Sequence, residues 1–454
     1  MFGTSGIRGP VGEEVTAELA LAVGRAVGVD SRRAVIGRDP RESGRLLVDT
    51  LAAGLREAGT DVVDLGLAAT PTIARAVSWY DAGAGVSVTA SHNPPTDNGI
   101  KLWQPSGQAF DGARRKEIER HVREGEFDLK PWDELGTRTR EDATDRHVAA
   151  LVDAIDFDVG DDLDTSDDLP VVAVDLGNGA GGVTVAALSE VGCRVETLNA
   201  QPDGSFPARP SEPNEGTLGS LCTLVAGTGC EVGLAHDGDA DRLVAVDSDG
   251  EFVPKDALLA LFAAEAASEG ERVACPVDTS LAVEDYLAER GIGVEYTPVG
   301  DVYVAEALGD DVTFGGEPSG AWIWPAQTLC PDGPLAACRL VTMCARTPLA
   351  ERVRDVPSYP IERTNVEVRD KEAVMEGVRE RVGDEGDGAN GTDRRENEKV
   401  TTLDGVRIDT DEGWILVRAS GTQPLIRVTA EARAADRAAE LSLRGRELVE
   451  NESE

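Results

Sequence analysis

The sequence predicts an α/β protein with three similar α/β domains in series and a smaller α+β domain at the C-terminal end. Two patterns indicate this fold class. Over residues 1–355, short β-rich runs alternate with amphipathic helical segments, which is typical of α/β domains with mainly parallel sheets. Over residues 356–454, consecutive strands precede a final helix, which is typical of an α+β domain. The length of 454 residues is compatible with this division, because domains average roughly 150 residues.

The first domain, residues 1–150, is predicted from strands at 34–37, 61–65 and 84–89. Between the first two strands, apolar side chains recur every three or four positions and predict a helix; they are Leu47, Leu51, Leu55 and Ala58. The cycle of strand, helix and strand returns at 171–198 and at 272–296. We therefore expect related second and third domains, at residues 151–250 and 251–355, with an acidic linker at 156–170 before the second cycle.

The fourth domain, residues 356–454, differs from the others in its order of elements. The pattern predicts three consecutive strands and a helix, at 406–408, 413–417, 425–428 and 434–449. A stretch rich in Gly, Asp, Glu and Asn, at 383–399, predicts an exposed loop inside this domain.

The composition excludes several classes of partner. The chain has 44 Lys and Arg residues against 84 Asp and Glu residues, and its net charge of −40 repels nucleic acid and anionic membranes. Such acidity favours a halophilic protein over an ordinary acidic one, because halophiles use high net charge. No apolar run approaches the roughly 20 residues of a membrane span, and no signal peptide is recognisable. Seven cysteines without paired spacing indicate reduced thiols and a cytoplasmic location.

A candidate nucleophile follows the third predicted strand, in the segment Thr-Ala-Ser-His-Asn-Pro-Pro at 89–95. Ser91 would lie at the carboxyl end of the strand, where open α/β sheets bind their ligands. His92 beside it and Lys101 downstream are further candidate catalytic residues, and we expect Ser91 to be exposed. The alternative is that Ser91 only caps a turn.

A candidate metal site lies in the loop Asp-Gly-Asp-Ala-Asp-Arg at 237–242, between two apolar runs that predict strands. The carboxylates of Asp237, Asp239 and Asp241 can converge on one cation, and ligation by oxygen alone favours Mg²⁺ or Ca²⁺. Arg242 could hold an anion beside the metal. The alternative is an acidic turn in a very acidic protein.

Two glycine-rich segments could bind phosphate and sugar. Residues 3–9 offer backbone amides and hydroxyl groups, with Arg8 able to bind a phosphate through two hydrogen bonds. Residues 315–320 present Glu317 and Ser319, whose carboxylate and hydroxyl groups suit sugar hydroxyls. The alternatives are a mobile N-terminus and a turn built on proline and glycine.

A third candidate binding segment, residues 418–427, lies between two predicted strands of the fourth domain. Its hydroxyl groups, its glycine and its two arginines could form a phosphate site; the residues are Arg418, Ser420, Gly421, Thr422 and Arg427. The alternative is a hairpin with solvated arginines.

Taken in order, these five segments resemble those of the α-D-phosphohexomutase superfamily, which contains phosphoglucomutases, phosphomannomutases and phosphoglucosamine mutases. The similarity spans nearly the whole chain. Gly-Glu-Pro-Ser-Gly followed by Trp-Ile is most similar to archaeal members of the phosphoglucosamine mutase type. The resemblance implies four domains around a central cleft.

The resemblance also implies an isomerase that interconverts hexose 6-phosphates and hexose 1-phosphates through a bisphosphorylated intermediate. Glucosamine phosphate is the expected substrate, and mannose or glucose phosphate is the alternative. The implied cofactors are one Mg²⁺ per subunit, a phosphoserine at Ser91 and a sugar 1,6-bisphosphate as activator. The implied assembly is a monomer or a homodimer.

Residue roles follow from the same resemblance. Ser91, Asp237, Asp239 and Asp241 would bind Mg²⁺. Arg8, Lys101 and Arg242 would line the reacting centre, and Glu317 and Ser319 would take sugar hydroxyls. The phosphate that does not react would be bound by Arg418, Ser420, Gly421, Thr422 and Arg427.

The chain departs from the superfamily pattern at two positions. Ala321 stands where many members have histidine, so a proton-transfer role is not carried over to it, and Gln423 replaces a glutamate. Two functions outside the mutases share part of the pattern. A phosphatase with a serine nucleophile would need no distal phosphate site, and a non-catalytic sugar-phosphate sensor could lose the nucleophile.

Overall fold

A computed structural model describes residues 1–3, 6–155, 169–384, 398–420 and 424–453. Within these residues the strands form four sheets, one in each of four consecutive parts of the chain. Helices alternate with strands in the first three parts, and the sheet of the fourth part is antiparallel. The predicted fold class is therefore confirmed.

The first part contains a six-stranded sheet. Its elements are β1 (Ile7–Pro10), α1 (Ala17–Gly28), β2 (Arg33–Arg38), α2 (Gly44–Glu57), β3 (Asp61–Leu67), α3 (Thr70–Trp79), β4 (Ala84–Val88), β5 (Asp97–Trp103), α4 (Gly112–Glu124) and β6 (Arg138–Arg140). The strand order is β1-β5-β4-β2-β3-β6. Helices α1 and α2 cross at two glycines, since a Cβ on Gly24 or Gly54 would lie 2.3 Å from a backbone oxygen of the other helix.

The second and third parts each contain a four-stranded sheet. Their elements are α5 (Thr144–Asp153), β7 (Val171–Asp175), α6 (Gly182–Glu190), β8 (Arg194–Leu198), α7 (Gly219–Gly227), β9 (Val232–Ala235), β10 (Val244–Val246), α8 (Lys255–Ala266), β11 (Arg272–Pro276), α9 (Leu281–Ala288), β12 (Gly293–Thr297), α10 (Asp301–Ala307), β13 (Val312–Glu317), β14 (Ala321–Ile323), α11 (Gly333–Arg346) and α12 (Leu349–Arg354). The strand orders are β10-β9-β7-β8 and β12-β11-β13-β14.

One apolar core runs through the second and third parts. It joins Val174 and Leu234 of one sheet to Phe262 and Trp322 of the other part, and Leu151 of α5 packs into it. Helix α5 therefore packs with the second part, although it spans residue 150. The domain boundaries at residues 150, 250 and 355 stay predictions.

The expectation of mainly parallel sheets is confirmed for the first three parts of the chain. Strands β7, β8 and β9 are parallel, as are β11, β12 and β13. However, β5, β10 and β14 pair antiparallel with their neighbours. Short loops connect each of these strands to the preceding strand, and a parallel crossover needs a much longer connection. These three turns carry the segments that the sequence singles out at 89–95, 237–242 and 315–320.

The fourth part has its own core. Its elements are β15 (Ile361–Glu367), α13 (Lys371–Asp384), β16 (Lys399–Thr401), β17 (Val406–Thr410), β18 (Gly413–Ala419), β19 (Leu425–Ala432) and α14 (Ala435–Asn451), and the strand order is β15-β19-β18-β17-β16. It docks on the third part through buried polar groups. Glu431 accepts hydrogen bonds of 2.6 Å from Ser280 Oγ and from the amide of Leu281. The Arg407 guanidinium lies 4.5 Å from the centre of the Tyr296 ring.

Most of two predicted loops lies outside the described residues, namely 156–168 of the linker and 385–397 of the loop in the fourth part. Across the part of the chain that the structure describes, every helix is too short or too polar to span a bilayer.

Candidate active site

Ser91 lies just beyond β4, at the carboxyl end of that strand. Its backbone φ of +52° falls in the left-handed region, which is unfavourable for a residue with a Cβ. Its amide donates to Thr89 Oγ1 at 2.8 Å, and its carbonyl accepts from Ser211 Oγ at 2.6 Å. The expectation of an exposed serine is wrong, since the residue is only 1% exposed. The acidic loop of the second part packs over it.

Arg41 holds the serine turn in place. The side chain is fully buried and is paired with Asp39 at 2.9 Å. Its guanidinium donates to four backbone oxygens, those of Ser91, Asn93, Pro94 and Asp97. These bonds stabilise a strained turn, so the position of the Ser91 hydroxyl is fixed before any ligand binds.

The acidic loop between β9 and β10 brings its three carboxylates together, and the first of them contacts the serine. One oxygen each from Asp237, Asp239 and Asp241 lies within 4.8 Å of the others, and all three residues are buried. The Ser91 hydroxyl donates to Asp237 Oδ2 at 2.6 Å. Residues that are 146 positions apart in the sequence thus meet in one centre.

Two groups from the first part bind Asp239. Thr70 Oγ1 donates to its Oδ2 at 2.7 Å, and the Lys101 ammonium donates to the same oxygen at 2.8 Å. Lys101 also donates to Asp241 Oδ2. The ion pairs link the two parts across the site.

The carboxylates of the acidic loop carry more negative charge than the nearby Lys101 can balance. Burial raises the pKa of Asp237, and the neighbouring Asp241 and Asp239 raise it further. Burial and Asp239 likewise raise the pKa of Asp241. Burial opposes the charge of Asp239, but the Lys101 ammonium overcomes it and holds that pKa below its usual range. One lysine cannot neutralise three buried carboxylates.

These residues fit a divalent cation. The Oδ1 atoms of Asp239 and Asp241 are buried and have no hydrogen-bond partner among the described residues. Buried carboxylate oxygens without partners are costly, and a hard cation bound by oxygen ligands would satisfy them.

Three further candidates surround this centre. Arg8 pairs with Gly99 across β1 and β5, and its buried Nε has no hydrogen-bond partner in the described residues. The amide of Arg242 donates to Asp237 Oδ1 at 3.2 Å. Burial and the charges of Arg242, Arg8 and Lys101 lower the pKa of His92 to about 2, so its imidazole is neutral near pH 7. Arginine and lysine side chains therefore supply the positive charge around Ser91.

Glu317 ends β13, and Ser319 follows in the turn to β14. The carboxylate accepts from the amide of Gly300 at 2.8 Å and from Ser319 Oγ at 3.1 Å. Burial and the nearby Asp301 raise the pKa of Glu317 to about 7, and Arg242 opposes this shift. The two side chains form one polar group next to Arg242.

The strands β18 and β19 place Arg418 directly opposite Arg427. Arg418 pairs with Asp404 at 3.0 Å, and Arg427 is exposed. The Lys371 ammonium donates to the carbonyl of Ser420 at 2.7 Å, which adds a third cation. Gly421 and Thr422 lie outside the described residues, as do Thr4 and Ser5 of the N-terminal segment.

An ion pair and hydrogen bonds connect this hairpin to the loop at residues 315–320. The carboxylate of Asp404 accepts from the amide of Val299 at 3.2 Å, and the next amide, of Gly300, donates to Glu317. The structure thus brings Ser91, Lys101 and the acidic loop into direct contact, and it links the hairpin to Glu317 through neighbouring residues.

Sequence reasoning missed Arg41, Thr70 and Lys371. Arg41 had one available signal, because it shortly follows a predicted strand, at the carboxyl end where open α/β sheets bind ligands. Thr70 and Lys371 had none, since each acts on a residue far away in the sequence.

Comparison with known proteins gives a consistent result over the whole chain. Four family models match, described as phosphoglucomutase/phosphomannomutase alpha/beta/alpha domains I, II and III and the C-terminal domain, at residues 1–129, 145–250, 254–359 and 364–447. A probable phosphoglucosamine mutase of Methanococcoides burtonii is 42% identical over 96% of both chains. A protein of the same name from Methanosarcina barkeri is 44% identical over 95% of both.

A crystal structure is similar as well. A phosphoglucomutase/phosphomannomutase family protein from Burkholderia thailandensis has a TM-score of 0.83 and 26% identity, with coverage of 100% of this chain and 98% of that chain.

Proposed function

We propose, since the chain belongs to the phosphoglucomutase/phosphomannomutase family of phosphohexomutases, that this isomerase converts glucosamine 6-phosphate into glucosamine 1-phosphate through a phosphate carried on Ser91. The names of the two archaeal relatives support the choice of sugar. We also propose that the enzyme is soluble and cytoplasmic and that it is a monomer or a homodimer.

One observation carries the proposal. The hydroxyl of Ser91 lies 2.6 Å from the first carboxylate of a buried acidic loop, beside the Lys101 ammonium. A serine that only capped a turn would not need three carboxylates from another part of the chain around it. Phosphoryl transfer needs this combination of a fixed oxygen and strong local charges.

Asp237, Asp239 and Asp241 would hold Mg²⁺ together with the phosphate on Ser91. Bound there, the cation would neutralise charge on the phosphoryl oxygens. This role agrees with the two buried oxygen atoms that have no partner among the described residues.

The chain's own residues would carry out the rest of the transfer. Arg41 fixes the turn, so Ser91 Oγ stays in place while its bond to phosphorus breaks and the sugar oxygen bonds to phosphorus. Arg8, Lys101 and Arg242 would bind the phosphoryl oxygens, where positive charge stabilises the transition state. Burial and the neighbouring cations lower the pKa of His92, so its neutral imidazole could take part in a hydrogen bond to the phosphoryl group.

A mutase must bind its sugar in two orientations. In both orientations, the Glu317 carboxylate would accept hydrogen bonds from sugar hydroxyls, and the Ser319 hydroxyl would accept or donate them. The phosphate that does not react would bind in the fourth part of the chain, at Arg418, Ser420, Gly421, Thr422 and Arg427. The bisphosphorylated sugar would turn over between two transfers, and added sugar 1,6-bisphosphate would load an unphosphorylated enzyme.

The test of the sugar is a comparison of kcat/KM for the 6-phosphates of glucosamine, glucose and mannose. We expect the glucosamine compound to be preferred. A clear preference for glucose or mannose phosphate would correct the substrate, and no mutase activity with any of them would overturn the proposal.

The test of the nucleophile is Ser91→Ala, with Ser211→Ala as the matched control. Loss of an essential nucleophile should reduce mutase turnover by at least about 10³-fold. Ser211 lacks that role, because its hydroxyl only donates to the Ser91 carbonyl. Its removal should cost less than about tenfold, as for a single buried hydrogen bond. Equal losses in both variants would contradict the role of Ser91.

A further inference from the structure

A second group of basic side chains lies at the carboxyl ends of β2, β3 and β6. It lines a cleft of about 330 Å³ that we call the arginine cleft. Its lining residues are Arg38, Arg45, Val48, Asp49, Asp64, Gly66, Arg138 and Arg140. Carboxyl ends of parallel strands are where open α/β sheets bind ligands. None of these residues belongs to the candidate active site.

The carboxylates of the cleft are already engaged. Arg138 pairs with Asp64 at 2.7 Å and with Asp49 at 2.9 Å. The other oxygen of Asp64 accepts from the amide of Gly66 at 2.8 Å. The four arginines and two aspartates that line the cleft leave it with a net positive charge.

The remaining arginines have no such partner. Among the described residues, the guanidinium groups of Arg38, Arg45 and Arg140 form no ion pair with a carboxylate. Burial and the charge of Arg45 lower the pKa of Arg38, Asp39 and Asp64 oppose this shift, and Arg140 adds to it. All three arginines line the same cleft. This is unexpected in a chain with 84 acidic residues, where carboxylates are abundant. Repulsion of this kind is relieved when an anion binds between the groups.

The backbone around the cleft also favours a negatively charged ligand. Helix α2 has no acidic residue in its first turn and no side-chain cap, and Arg45 lies there instead. This adds to the positive potential of the helix N-terminus. Gly66, at φ +67°, leaves room for Arg140, since a Cβ would lie 2.5 Å from its guanidinium. The arginine side chain thus enters a space that only glycine leaves open.

The cleft is larger than a bare anion requires. A second cleft, of about 440 Å³, shares Arg38 and Arg45 with it and extends to Gln201 and Asp203. Pockets for small organic ligands have roughly this size. We infer that the arginine cleft binds the phosphate group of a small phosphate-bearing molecule, with Arg38, Arg45 and Arg140 as its contacts.

Hydrogen exchange of the full-length protein at constant ionic strength tests this inference. The probes are inorganic phosphate, adenosine 5′-monophosphate and, as a control, potassium chloride. We expect slower exchange at residues 38–47 and 138–140 with at least one phosphate probe and not with chloride. Protection by inorganic phosphate identifies the free anion as the ligand, and protection by the nucleotide alone identifies a phosphate ester.

Two double variants with the same change in charge sharpen the test. Arg45→Gln with Arg140→Gln should weaken the probe's protection of these segments by about tenfold or more, because charged hydrogen bonds to the phosphate are lost. Arg32→Gln with Arg123→Gln changes exposed arginines elsewhere in the first part of the chain and should leave the protection by the probe unchanged. Protection confined to the Ser91 and acidic loops, equal protection by chloride, or equal weakening in both variants would overturn the inference.

Discussion

The proposed catalytic centre and the hairpin at residues 418–427 are both proposed to bind phosphate, and they differ in burial. The centre consists of Ser91, Lys101 and the three aspartates of the acidic loop, and no member is more than 4% exposed. The hairpin, residues 418–427, has Arg427 exposed and the Arg418 side chain 32% exposed. Buried hydrogen bonds connect every member of the centre to another part of the chain. Among the described residues, Arg418 of the hairpin pairs with Asp404 of the same part, and Asp404 accepts a hydrogen bond from the amide of Val299 in the third part.

The difference follows from what each site has to do. Transfer of a phosphoryl group depends on fixed positions and strong, desolvated charges, which a buried network provides. The proposed distal site would have to accept either phosphate of a sugar that changes its orientation. Exposed arginines on flexible side chains suit this task, because they bind phosphate without fixing the rest of the ligand. Changes in the two regions should therefore have different signatures in kinetics.

The largest effect is expected from Asp239→Asn in the catalytic centre. The variant loses one of three carboxylates and one of the two partners of Lys101, so we expect at least about a 100-fold lower kcat, as for loss of a transition-state contact. Mg²⁺ binding measured by calorimetry should weaken in parallel, and EDTA should inactivate the wild type. Asp249→Asn, at an exposed position in a nearby turn, is the matched control. Full activity in EDTA would contradict the metal assignment.

A smaller effect of a different kind is expected from Arg427→Ala in the hairpin. Removal of one exposed phosphate contact should raise KM by about tenfold to 30-fold with little change in kcat, because the chemistry occurs elsewhere. Arg446→Ala, an exposed arginine of helix α14, should change neither constant. An unchanged KM in the Arg427 variant would show that the hairpin does not bind substrate.

The pH dependence should report on Glu317, which lies between the two regions. Its pKa is raised to about 7 by burial and Asp301, so its carboxylate form is gained as pH rises through 7. If the carboxylate accepts hydrogen bonds from sugar hydroxyls, kcat/KM should increase about tenfold from pH 6 to pH 8. Glu317→Gln removes this group and isolates any titration of the substrate phosphate. The same rise in the glutamine variant would mean that Glu317 is not responsible.

The smallest effect is expected from salt, which acts on the charge of the whole protein surface. Salt screens the net charge of −40, and the Debye length falls to about 3 Å at 1 M. The melting temperature should rise by about 5 °C or more between dilute buffer and molar potassium chloride, measured by calorimetry. The exposed hairpin should gain more protection from hydrogen exchange than the buried centre. Equal melting temperatures would argue against halophilic adaptation.

The contrast between the two regions also explains what the sequence could predict. Ser91, the three aspartates and Arg427 lie in contiguous segments whose residue types indicate their chemistry. Periodicity predicted strands such as β7, β8 and β11 closely. Contacts between distant segments could not be predicted, so the roles of Arg41 and Thr70 and the burial of Ser91 appear only in the folded chain. The antiparallel direction of β5, β10 and β14 could not be predicted, because residue patterns indicate strands and not their direction.

The most direct test of the central claim is to follow a phosphate from Ser91 to the sugar. The protein is loaded with a sugar 1,6-bisphosphate, and mass spectrometry of its peptides locates the added phosphate. Substrate 6-phosphate is then mixed in and the reaction is stopped within one turnover. The account predicts a single phosphate on Ser91 that leaves the protein as bisphosphate appears in equal amount. A phosphate on another residue, or one that substrate does not remove, would contradict it.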